Sequence, residues 1–171
     1  MIQSSIDFDI RVEVMDPAID APCSHLTHRF VQGDLNDAEA VFAFGQGLDV
    51  VTIEIEHVSV EGLRLLEASG VRVIPKPDHI DMIQDKGTQK AFFEKHGIPS
   101  SPFKLVENVS QAGQHGFPVV QKLRRGGYDG KGVQFLQDAM EASAKGFDAP
   151  CVLEHPVDID KELSVIIARN T

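Results

Sequence analysis

The segment Lys122-Leu123-Arg124-Arg125-Gly126-Gly127-Tyr128-Asp129-Gly130-Lys131-Gly132 sets four cations among four glycines. Glycine has no Cβ, so a chain built this way can turn sharply and bring its backbone amides close to a ligand. Amides converging with nearby ammonium and guanidinium groups suit a polyphosphate. The order of residues is neither a Walker A loop nor a dinucleotide fingerprint, because Gly-x4-Gly-Lys-Ser/Thr and Gly-x-Gly-x-x-Gly are both missing. Lys122 ends the apolar run Pro118-Val119-Val120, a position from which its ammonium can enter a cleft. Taken alone it reads equally as a surface lysine with a buried stem, and the adjacent loop tips the reading toward a ligand.

Other residues could serve the same ligand. Glu154-His155-Pro156-Val157 leaves the apolar run Cys151-Val152-Leu153, where backbone N–H and C=O groups can meet an adenine edge. An ordinary strand-to-loop exit has the same pattern. Glu162 precedes the apolar run 163–168 and can accept from ribose hydroxyls, or pair with Lys161 in solvent. Lys86, in Gln84-Asp85-Lys86, reads by itself as a solvated charge. Tyr128 suits either packing on a ligand or sealing the loop. Glu56 and His57 end a strand at the edge where α/β sheets place ligands, and they suit acid/base work or the capping of the next helix. His25 and His28 lack a third ligand at metal spacing and read as structural or solvated. Cys23 and Cys151 fit no metal motif and read as buried, reduced thiols.

The elements that must position these groups follow from periodicity. Strands are expected at 10–15, 49–54 and 71–74, with helices at 37–44 and 60–68, and a further helix at 2–6. This alternation predicts a parallel α/β sheet. Residues 78–84 and 88–96 read as two helices closed by Gly97-Ile98-Pro99. After the hinge Pro99-Ser100-Ser101-Pro102, strands at 103–106, 117–123, 133–136 and 151–154 alternate with helices at 110–115 and 138–145, a small α+β module. The run 162–169 reads as a further strand with nothing after it to pair with. The start also lacks the strand and glycine turn that open a dinucleotide-type domain. The chain is therefore expected to be a piece of a longer protein.

Composition narrows the class. The 171 residues are 42% hydrophobic, with no Trp, and carry a formal net charge of -10. That charge disfavours nonspecific nucleic-acid binding and anionic membranes, while a local cationic cluster still suits a small anionic ligand. No apolar run reaches membrane-spanning length, and the first residues do not form a secretory signal.

Together, Gly126 to Gly132 after Lys122, the upstream run Asp49 to Glu56, Gln84-Asp85-Lys86, and Glu162-Leu163-Ser164-Val165 resemble the N5-carboxyaminoimidazole ribonucleotide synthetase family of ATP-grasp enzymes. The resemblance runs along nearly the whole chain. It implies a Rossmann-like pre-ATP-grasp α/β domain at 1–76, a helical connection at 77–98, an ATP-grasp lid at 99–160 and the first strand of a further subdomain at 161–171. It implies that Lys86 and Lys122 contact ATP. Gly127, Tyr128, Asp129, Gly130, Lys131, Gly132 and Val133 would cover the phosphates. Glu154, His155, Pro156 and Val157 would read adenine, and Glu162 the ribose.

The implied reaction is ATP-dependent carboxylation of aminoimidazole ribonucleotide with bicarbonate in purine biosynthesis, by a cytoplasmic homodimer using magnesium. The family's magnesium ligands and substrate-holding basic motif have no match here. The segment alone is therefore expected to be inactive, with no metal site and no assigned catalytic residue. Two other functions fit the same residues: an ATP-grasp ligase with another acceptor, and a nucleotide-binding module without turnover. A third reading treats the glycine loop as a plain hairpin tip, which leaves its four cations unexplained.

Overall fold

The computed structural model describes residues 2–127 and 130–167. It divides into two compact units, one ending at Gln84 and the other beginning at Asp85.

The first unit runs α1 (Ile2–Ile6), β1 (Glu13–Asp16), β2 (Arg29–Gln32), α2 (Ala38–Gly45), β3 (Val50–Thr52), α3 (Val60–Ala68), β4 (Arg72–Ile74) and α4 (Pro77–Gln84). Strands β1 and β2 pair in parallel, as do β3 and β4, forming two separate two-stranded sheets. The single parallel sheet expected from periodicity is thus two ladders. Strand β2 was not expected, because Arg29-Phe30-Val31-Gln32 has polar ends and exposes them, so it shows no alternation. The helices begin where the side chains require it. Asp37 Oδ1 accepts from the Glu39 and Ala40 amides to cap α2, and Ser59 Oγ accepts from Gly62 to cap α3. Such caps satisfy amides that have no partner within the helix.

Leu63 and Leu66 of α3 are fully buried and join Val41, Val51, Val58, Val73 and Ile80 in one core. Burying a leucine contributes about 2 kcal/mol. On the surface, Arg64 donates to Asp78 (3.0 Å) and Asp81 (3.1 Å), tying α3 to α4.

The second unit runs α5 (Lys86–Lys95), β5 (Phe103–Val106), a 3₁₀ turn at Val109–His115, β6 (Val119–Leu123), β7 (Val133–Leu136), α6 (Ala139–Lys145) and β8 (Cys151–Glu154). All strand pairs are antiparallel, in the order β5-β8-β6-β7. The two helices expected as a connection at 77–98 fall on either side of the division, α4 in the first unit and α5 in the second. Alternation along β6 and β8 separates two faces. Val119, Cys151 and Leu153 face a core with Val106, Leu136, Ala112 of the 3₁₀ turn and Ala142 of α6. Gln121 shares that face and is fully buried, yet satisfied: its Oε1 accepts from Phe147 N and Gln134 Nε2, and its Nε2 donates to Phe147 O. The opposite face carries Val120, Lys122, Val152 and Glu154.

The strand expected at 162–169 does not form over residues 162–167. Ala168 and Arg169 lie outside the described residues. A strand needs a hydrogen-bonding neighbour, and this segment joins neither edge of the sheet. Leu163, Val165, Ile166 and Ile167 are all exposed.

Candidate functional site

The site face of the second unit is built by strand register. Lys122 on β6 lies opposite Val152 on β8 and Val133 on β7, while Val120 lies opposite Glu154. This register places the Lys122 and Glu154 side chains diagonally on one face. Lys122 Nζ donates to Glu154 Oε2 at 2.8 Å, and Lys90 Nζ of α5 meets Glu154 Oε1 at 3.0 Å. The Glu154 carboxylate is 10% exposed, so two ammonium groups hold it where water scarcely reaches. A buried charge is tolerated when so paired.

A second ion-pair system lies where α5 begins. Asp85 is buried and caps α5, its Oδ1 accepting from the Gly87 and Thr88 amides. Arg124 grips the same carboxylate from both sides, Nε to Oδ1 at 2.9 Å and a terminal nitrogen to Oδ2 at 2.7 Å. Arg125 Nε adds a looser contact at 3.6 Å. Burial alone would raise the Asp85 pKa, but the Arg124 hydrogen bonds, the two amides and the guanidinium charge outweigh it and hold the group below the ordinary carboxylate range. The same bonds raise the Arg124 pKa.

The glycine loop joins β6 to β7. Its described part shows why glycine is needed there. Gly130 and Gly132 have φ of 78° and 74°, a region that other L-residues rarely adopt. A Cβ on Gly127 would lie 2.7 Å from the Lys131 carbonyl oxygen. The Gly132 carbonyl accepts from Leu123 N, closing the base of the loop. Lys86 Nζ donates to the Gly127 carbonyl at 3.1 Å, and Lys86 N donates to Arg124 O. Two of the expected ligand lysines are thus anchored here, Lys86 to the loop and Lys122 to Glu154. Tyr128 and Asp129 lie outside the described residues.

At the exit of β8, His155 N donates to Pro102 O, and Ser101 Oγ donates to His155 O at 2.6 Å. The His155 ring stacks on His115 with centroids 4.1 Å apart. Burial depresses the His115 pKa; His155 and Lys104 act in the same direction, against the pull of the Pro102 carbonyl. Beyond this point Pro156, Val157 and Glu162 lie on exposed chain outside any helix or strand.

Family profiles match both units: "Ribonucleotide synthetase preATP-grasp domain" over residues 1–84 and "ATP-grasp domain" over residues 91–171. Among curated relatives, the N5-carboxyaminoimidazole ribonucleotide synthase of Staphylococcus aureus (strain MRSA252) is 33% identical over 176 residues, covering 99% of this chain and 47% of its own length. The chain belongs to the ATP-grasp N5-carboxyaminoimidazole ribonucleotide synthetase family. It spans about half the length of the curated relatives it matches. The Thermotoga maritima synthetase structure superposes with a TM-score of 0.82 at 31% identity, covering 94% of this chain and 43% of that one. The Aspergillus clavatus synthase described as complexed with ATP gives 0.83 at 29% identity, covering 93% and 44%.

Within this synthetase fold, the second unit brings together Lys86, Lys122, Gly127, Gly132, Val133 and Glu154. It does not gather Glu162 or Val157 against them. Glu56, His57, His25, His28 and Cys23 lie in the first unit, and Lys131, His155, Pro156 and Cys151 in the second. Gln84 Nε2 donates to the Glu56 and Val58 carbonyls, fastening the turn that carries His57. His28 Nδ1 accepts from Val12 N. Cys23 and Cys151 are free thiols, Cys23 half-buried and Cys151 buried.

Sequence reading passed over Asp85, Arg124 as an ion-pair partner, and Lys90. The signals were present, since Asp85 stands one residue before a helix, where a cap belongs. Lys90 sits four residues after Lys86, hence on the same helix face.

Proposed function

We propose that the second unit is the nucleotide-holding part of an ATP-dependent carboxylase acting on 5-aminoimidazole ribonucleotide. The observation carrying this reading is the register of Lys122, Val133 and Glu154, which aligns a lysine, the end of a glycine loop and a hinge carboxylate across three adjacent strands. In this reading Lys86 and Lys122 turn from their present acceptors to the phosphates or the base. The 127–133 loop lies over the phosphates. His155 has both backbone groups engaged and Pro156 has no N–H, so the Val157 amide is the hinge donor for adenine. Glu162 takes the ribose.

The proposed chemistry transfers the γ-phosphoryl group of ATP to a bicarbonate oxygen, giving ADP and carboxyphosphate. The N5 amine of aminoimidazole ribonucleotide then attacks the carboxyl carbon and phosphate leaves with the C–O bonding pair. Fixed cations favour the first step by stabilising charge on the transferring group. Magnesium is expected with ATP. Asp85 and Glu154 are held by cations, and no metal-holding group of three His, Cys, Asp or Glu occurs among the described residues. No step is assigned to the metal here. The reading places the enzyme in the cytoplasm as a homodimer, like the family it resembles.

Titration calorimetry of ATP into this chain tests the nucleotide site. Lys122→Ala should weaken binding by about tenfold or more, the worth of a charge-assisted hydrogen bond. Unchanged affinity would refute the site. In a protein carrying this chain at the relatives' full length, ADP release should depend on both bicarbonate and aminoimidazole ribonucleotide. Release that ignores the ribonucleotide would refute the acceptor.

A further inference from the structure

We infer that Lys90 is a positioning residue, the resident counter-ion of Glu154, which frees Lys122 to exchange Glu154 for a nucleotide. This rests on the nucleotide reading of Lys122 given above. Glu154 holds one ammonium on each oxygen, Lys90 at 3.0 Å and Lys122 at 2.8 Å. The two lysines are not equivalent. The Lys122 side chain is 30% exposed and bonds to Glu154, whereas that of Lys90 is 11% exposed. Lys90 is also fixed by Ser100 Oγ, by the Ser101 carbonyl at 3.5 Å and by the Phe103 ring, 5.8 Å from its ammonium.

A carboxylate this buried cannot lose its only partner without a large desolvation penalty. Were Lys122 the sole counter-ion, its departure toward a ligand would be opposed by the charge left behind. With Lys90 in place, Glu154 stays compensated and Lys122 is released at lower cost. Lys90 is also connected to the hinge by a second route, because Ser101, whose carbonyl it meets, donates its hydroxyl to His155 O.

The test uses ligand-free lysine labelling and ADP titration on the same proteins. With an N-hydroxysuccinimide ester read by mass spectrometry and Lys145 as internal reference, Lys90→Met should slow Lys122 labelling severalfold, since Lys122 becomes the only partner of Glu154. ADP affinity should fall about thirtyfold or more, as when one partner of a buried charge pair is removed. On a Glu154→Gln background, Lys90→Met should change ADP affinity by less than about twofold, the additivity expected when no coupling remains. That comparison removes both charges and serves if Lys90→Met alone does not fold.

Unchanged Lys122 labelling in Lys90→Met overturns the inference. So does an equal loss of affinity on both backgrounds, which would mean that Lys90 acts through Ser100 and Ser101. A labelling response as expected, in a chain that does not bind ADP at all, overturns the nucleotide reading and leaves the hold of Lys90 on Glu154 standing.

Discussion

Asp85 should be the residue on which the start of the second unit depends, and its contribution can be worked from two separable parts. Its carboxylate caps α5 through the Gly87 and Thr88 amides and binds Arg124 at 2.9 and 2.7 Å. Asparagine keeps the capping oxygen but removes the charge. Breaking a fully buried pair costs about 3–5 kcal/mol. The Arg124 side chain is 28% exposed and can regain some water, so the cost of Asp85→Asn is set lower, at about 2 kcal/mol. Asp85→Ala loses the cap as well, adding about 1 kcal/mol.

The assay is amide hydrogen exchange read by mass spectrometry on peptides covering 85–96 and 119–125. Local opening sets exchange there, so 2 kcal/mol corresponds to about thirtyfold faster exchange and 3 kcal/mol to about a hundredfold. The amides of Lys86 and Arg124 report directly, since they donate to Arg124 O and Pro150 O. The pH dependence has a fixed sign. The folded pKa of Asp85 lies below its unfolded value of 3.8, so its stabilisation is complete above that value and is lost as pH falls through the folded pKa. In Asp85→Asn this acid-side loss should disappear. Exchange in Asp85→Asn within twofold of the unsubstituted chain would refute the ion-pair argument. So would an equally large effect of Asp85→Asn when Arg124 is already methionine.

Two further outcomes follow from the loop and the core. Gly132→Ala forces a side chain onto φ of 74° with its Cβ 3.0 Å from Gly127 Cα and 3.1 Å from Leu123 Cδ1, so it should destabilise the β6–β7 connection by about 1–3 kcal/mol and weaken ATP binding, read by exchange and calorimetry; a neutral result would show that the loop tolerates another conformation. Burial pushes the Cys151 thiol up to about 11, only partly countered by Gln121, so the folded state favours the protonated form and its advantage, complete below the unfolded pKa of 9.0, is lost as pH rises through 11; Cys151→Ala should flatten the decline in melting temperature over that interval, and a parallel decline in both proteins would contradict it.

How much of this was legible in the sequence depended on whether the signal was local. Helix α3 and strands β5, β7 and β8 stand where periodicity places them, because apolar spacing and Gly or Pro punctuation act within a few residues. Asp37 and Asp138 begin the helices expected at 37–44 and 138–145 by accepting the first amides. The failures were pairings. Strand β2 exists because Arg29 to Gln32 lie beside β1, with Arg29 reaching Glu13 at 2.9 Å, a relation across sixteen positions that no local window contains. The strand expected at 162–169 failed over 162–167 for the converse reason: its composition is strand-like, but no ladder receives it. The glycine loop and Lys122 stood out in the sequence because their residue types are unusual together. Lys90 and Asp85 did not: their helix positions were visible, but the partners that give them their roles, Glu154 and Arg124, lie more than thirty positions away.

The pairing of cations changes what the glycine loop implies. Counted in the sequence, Lys122, Arg124, Arg125 and Lys131 are positive charge waiting for a phosphate. In the folded unit Lys122 is bonded to Glu154, Arg124 to Asp85, and Lys86 to the Gly127 carbonyl. Two classes follow from the geometry. Arg124 is gripped bidentately by a buried carboxylate that also caps a helix, so moving it would strip that carboxylate of its two shortest charged contacts, and it is structural. Lys86 and Lys122 each make one described side-chain hydrogen bond, to a carbonyl and to a carboxylate that has a second cation, and both can exchange that bond for a ligand oxygen at little net loss. In the proposed reading, nucleotide binding is an exchange of partners by Lys86 and Lys122 around a fixed Arg124–Asp85 clamp. Because such an exchange replaces one charged contact with another, the affinity of ATP should depend on salt less steeply than a count of four free cations would give.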